Sequence, residues 1–74
     1  MLTKDELAKK VLDAVKGDPE AVKEVSAALV SRDPARIKRV IARVSGINLL
    51  DEEVKMILDE LGSNPEQAVV AYST

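Results

Sequence analysis

The 74 residues, 46% hydrophobic and 32% charged, fit one globular domain and exclude a disordered chain. Cysteine and histidine are both absent, which excludes disulfides and any ordinary zinc or copper site. The net charge of −2 provides no overall field toward nucleic acid or an acidic membrane, and no apolar run approaches the length of a membrane span or signal-peptide core.

A chain this small buries only about 60% of the surface its unfolded form exposes. With disulfides and metal excluded, regular packing or self-association has to stabilise it. Phe and Trp are absent and Tyr occurs once, so the core must be Val, Leu, Ile, Ala and Met. Leu, Ile and Val have few rotamers and lose little entropy on burial.

Met1-Leu2 reads as an apolar staple ahead of the first helix. Thr3 opens that helix with Glu6 three residues on, a capping box in which hydroxyl and carboxylate each take a free backbone N–H. Leu7, Ala8, Val11, Leu12 and Val15 form one apolar stripe, with Lys9, Lys10 and Lys16 outside it. Gly17 ends the helix by entering the left-handed conformation. Asp18-Pro19-Glu20 starts the second: Asp caps, Pro presets φ in the first turn, and Glu faces the positive end of the dipole. Its stripe is Val22, Val25, Ala28 and Leu29, and Ala21, Ala27 and Val30 widen it enough for contact from two sides.

Ser31-Arg32 is a stop without glycine, and Asp33-Pro34 repeats the previous start. In the third helix Ile37, Val40, Ile41 and Val44 recur at helical spacing, and Gly46 ends the run. Asn48 is the expected cap of the fourth helix, with Asp51 at its third position and Leu50 as the alternative last loop residue. Val54, Ile57, Leu58 and Leu61 make its stripe and Gly62 closes it. Asn64-Pro65-Glu66-Gln67 begins a last helix too short to form alone, so it must dock through Ala68, Val69 and Tyr72. The spacing predicts helices at about 4–16, 19–31, 34–45, 49–61 and 65–72 in a single domain, 1–74. The expected fold class is all-α: a compact five-helix bundle with short loops, not up-down, packed orthogonally or irregularly around the third helix.

The sharpest cluster for chemistry is Arg32, Arg36, Lys38, Arg39 and Arg43. Continued as one helix, Arg32, Arg36, Arg39 and Arg43 share a face within about a 60° arc. Two helices joined by a short turn, the second basic, also match the outline of a helix-turn-helix DNA reader, in which these arginines meet phosphates or base edges. The blander reading is a solvated face paired with an acidic neighbour. The net charge is −1 over residues 1–31, +4 over 32–46 and −5 over 47–74, so the acidic segment follows directly in sequence. No Asn or Gln on the basic face reads adenine, and nucleic acid is not the expected partner.

The acidic residues Asp51, Glu52, Glu53, Asp59 and Glu60 lack the calcium-loop pattern and read as helix-end charge. The serines have no histidine to activate them, the single glycines form no phosphate loop, and nothing singles out a carboxylate pair. The expectation is therefore a non-enzyme with no cofactor, no metal, no small-molecule substrate and no membrane contact. Tyr72 reads as a packing anchor with its hydroxyl at the surface. The tail Ala68–Thr74 also resembles, in outline, the end of a small helical leader of a modified-peptide precursor, without its Gly-Gly pair or a cysteine.

The segments TKDE, GDPE, RDPA, INLLDEE and GSNPEQ each start a helix by rule, and Gly17, Gly46 and Gly62 each stop one. In this the chain resembles idealised all-α proteins from computational de novo design, built from short helix-loop-helix units. Val-rich helices, Ser26 and Ser45 depart from that style. The resemblance implies a heat-resistant monomer with no natural substrate or partner.

Overall fold

A computed structural model describes residues 2–73, with the side chains of Glu66 and Ser73 outside the described set. Met1 of the expected staple and Thr74 of the tail also lie outside it, and Leu2 is exposed. The described residues form five helices and no strand: α1 (Lys4–Val15), α2 (Pro19–Ser31), α3 (Pro34–Ser45), α4 (Asp51–Leu61) and α5 (Pro65–Ser73).

The first three helices start where their capping chemistry stands. Thr3 Oγ1 accepts from the Glu6 N–H at 3.2 Å, and Glu6 Oε1 accepts from the Thr3 N–H at 3.1 Å. Asp18 accepts from the N–H groups of Glu20 and Ala21, and Asp33 accepts from that of Ala35. The fourth helix follows the alternative reading, beginning at Asp51 rather than residue 49, with Leu50 as the last loop residue and not Asn48 at the cap position. Leu49 is drawn into the core, and Glu53 reaches back to accept from the Leu50 N–H at 2.8 Å. Burying Leu49 is incompatible with starting the helix there, and the carboxylate supplies half of a capping box without any polar cap residue.

The helix ends use several devices. Gly46 takes φ 74°, the left-handed cap that glycine enters without strain. Gly62 is right-handed at φ −71°, so its role is different: a Cβ there would collide with the Leu58 carbonyl. Two serines also close helices. Ser31 Oγ donates to the Ala28 carbonyl at 2.6 Å and Ser45 Oγ to the Ile41 carbonyl at 2.5 Å, and each accepts from a backbone N–H two residues on.

The five apolar stripes meet in one core of seventeen buried residues, among them Leu7, Leu12, Leu29, Ile37, Ile41, Ile57 and Leu61, each at most 1% exposed. Val22, Val44 and Leu58 pack at its margin, as do Ala68 and Tyr72 beside the buried Val69. Ala27 and Val30 stay exposed, so α2 is covered on one side only. The extents are 26 × 22 × 21 Å and the radius of gyration is 10.5 Å. The shape is near-isotropic.

The centre, however, is α1 and not α3. The first helix packs against all four others, most extensively against α4, while the main contacts of α3 are with α1, α2 and α4. Five residues of α1 are buried to 1% exposure or less, more than in any other helix, and a stripe that wide can be shared among several neighbours.

Candidate functional site

The basic cluster divides when the chain folds. Arg32 is not on the α3 face. It is the C-cap of α2, held left-handed at φ 56°, and its Nη1 donates to the Gly62 carbonyl at 3.1 Å. That carbonyl belongs to the end of α4, where backbone acceptors lack helical partners and a cation meets the negative end of the dipole. The one-helix projection failed for Arg32 because the chain reverses at Arg32-Asp33 before α3 begins.

Left-handed backbone costs a non-glycine residue about 1–2 kcal/mol, which the contact to α4 offsets. Arg32→Ala removes the contact and keeps the strain, so a loss of about 1 kcal/mol is expected. Arg32→Gly removes both and should fall near wild type. Chemical denaturation of the two variants checks this, and equal losses would show that the strain carries no weight.

Arg36, Lys38, Arg39 and Arg43 do project from α3 and are exposed. Arg43 pairs with Glu24 of α2 at 2.8 Å, and Lys38 pairs with Asp51 of α4 at 3.2 Å. The acidic partner expected from the following segment is therefore found for Lys38, whereas Arg43 turns to the preceding helix. None of the ion pairs among the described residues involves Arg36 or Arg39. Open clefts flank the helix. One, toward α2, is bordered by Glu24, Arg36, Arg39 and Arg43, and the other, toward α4, by Lys38, Arg39, Ala42, Asp51 and Lys55. Arg39 borders both and so stands on the crest between them. The sequence cluster omitted Lys55, and only the α3–α4 packing brings it to this face. Asn48 also borders the second cleft, so the face does carry an amide.

A second polar cluster lies where α1, α4 and α5 meet. The Tyr72 hydroxyl donates to the Asp5 carboxylate and lies 3.1 Å from Glu60, and beside it Lys4 pairs with Asp59. The hydroxyl expected at the surface thus ties the last helix to two others. The Asp5 hydrogen bond, then burial, then Glu60 hold the Tyr72 phenol well above its usual pKa. The hydrogen bond and charge of Lys4 hold Asp59 below the ordinary carboxylate value, and Asp59 raises Lys4 in return.

A raised folded-state value favours the protonated phenol, so this stabilisation is fully present below the unfolded value of about 10 and is lost as pH rises beyond it. Asp59 has the opposite sign: its contribution is present above the ordinary Asp value and fades as pH falls. As Tyr72 is the sole tyrosine, phenolate absorbance reads its titration directly. A midpoint above about 10 is expected for the folded chain, and one at the free value would show that the clamp does not form.

Among the described residues no cluster of three or more carboxylates or other ligating groups is placed to hold a metal, and no helix is long and apolar enough to cross a membrane. No protein-family model matches the chain, and neither a curated protein nor a solved structure matches it.

Proposed function

We propose that the chain is a self-contained helical scaffold of the idealised, computationally designed kind: a heat-resistant, non-catalytic monomer with no natural substrate or cofactor. One observation carries this reading. Among the described residues every buried side chain is aliphatic, in a single cluster fed by all five helices and the Leu49 anchor, and no buried side-chain polar atom lacks a partner. Agreement between N-caps, stripes and core in α1, α2 and α3 supports it, since natural proteins tend to break a local rule where they function. Solution mass together with a melting curve tests the proposal. A monomer with one cooperative transition above about 90 °C is expected, and a larger mass or a transition in the ordinary range of about 45–65 °C would overturn it.

A second reading has one observation in its favour. Arg36 and Arg39 stand exposed on α3, outside the ion pairs of the described residues, directly after a two-residue turn from α2. This is the helix-turn-helix outline with two cations open to a ligand, and it makes the chain a small nucleic-acid-binding module. Titration of labelled duplex DNA at low salt tests it, with no association at micromolar protein as the result against it.

A further inference from the structure

The second reading leaves open what the α3 face would recognise, and the arrangement of its cations bears on that. Resting on that reading, we propose that α3 is a ridge for the phosphodiester backbone of duplex nucleic acid, engaged through Arg36, Arg39 and Lys55 without base readout.

The chain as a whole is −2, yet the borders of the two clefts beside α3 carry five cations, Arg36, Lys38, Arg39, Arg43 and Lys55, against the carboxylates Glu24 and Asp51. Those two are taken by Arg43 and Lys38. Exposed pairs of this kind contribute little and open readily, so Lys38 and Arg43 form a reserve behind Arg36, Arg39 and Lys55, which enter no ion pair among the described residues.

Arg39 borders the clefts on both sides, so α3 projects between them, and Arg36 to Arg43 covers about 10 Å of helix. A convex ridge of cations fits a groove walled by phosphates, whereas an acidic peptide needs a trough.

Large exposed apolar side chains are scarce around these cations. Leu2, Leu50 and Val70 belong to other elements, and Val30 of α2 meets only the edge of the face, lining a neighbouring cleft with Arg36. The α3–α4 cleft offers only small apolar groups such as Ala35 and Ala42. A protein partner draws its affinity from apolar anchors seated in pockets. With one such side chain at the margin, counterion release is the main driving term available, and dense phosphate charge supplies it better than spaced carboxylates.

Fluorescence anisotropy with a labelled mixed-sequence duplex of about 20 base pairs tests the proposal. Micromolar binding at low salt is expected, with a slope of log affinity against log salt of about −3 for three engaged cations. Arg36→Gln/Arg39→Gln should weaken binding at least about tenfold and bring the slope to about −1, while Lys9→Gln/Lys10→Gln on α1 changes neither. A shuffled duplex should bind equally. Absence of binding would end both this inference and the reading beneath it. Three results would end the inference alone: binding indifferent to the arginine pair, a tenfold preference between shuffled duplexes, or equal competition by polyglutamate of matched charge.

Discussion

Ile41→Ala is expected to destabilise the domain by about 2–5 kcal/mol, because it removes buried methylenes and leaves a cavity that neighbouring helices cannot fully close. Ile41 is 0% exposed and lies on the face by which α3 meets α1, α2 and α4. Domains of this length are stable by only about 4–11 kcal/mol, so the loss is a large share of the total. At about 4–8 °C per kcal/mol, the melting temperature falls by about 8–40 °C. Lys38→Ala, on the exposed flank of the same helix, removes an exposed pair with Asp51 and should stay within about 0.5 kcal/mol of wild type. Equal effects in thermal melts of the two variants would mean that the buried face of α3 is misassigned.

The second large effect is expected at Val69. It is 3% exposed, and its helix α5 is nine residues long, too short to hold its shape without docking. Val69→Asp places an unpaired carboxylate in an aliphatic core. Releasing the helix is cheaper than burying that charge, so α5 should detach at a cost of about 2–4 kcal/mol. Amide exchange across residues 65–73 should rise to that of a free segment while α3 remains protected. Val70→Asp, one position on and 63% exposed, should change little. Full α5 protection in the Val69 variant would show that the residue does not anchor the helix. The unaltered chain is informative too: a leader-type precursor calls for a tail that exchanges freely until a partner binds, whereas the scaffold reading requires protection comparable to α3.

The places where local reasoning failed share a cause. Asn48 has the better capping side chain, but Leu49 goes to the core and moves the helix start to Asp51. Arg32 has the right spacing for the α3 face, but the reversal at the α2 C-cap carries its guanidinium to Gly62. Lys55 was absent from the basic cluster because its place beside Arg39 depends on how α3 and α4 cross. Tyr72 looked like a simple anchor because its partners stand far off in sequence, Asp5 by 67 positions and Glu60 by 12. No periodicity within one helix reports such contacts.

Five helices, the starting points of four of them and the buried stripe of each are legible in the order of residues alone. Capping and apolar spacing act over three or four residues, so they are legible in any stretch of that length. Helix packing in three dimensions makes α1 and not α3 the hub, turns Arg43 toward Glu24, and lets one phenol tie three helices together. These outcomes depend on the relative placement of whole helices, set by how five stripes of unequal width share one small volume, and no single stripe contains that information.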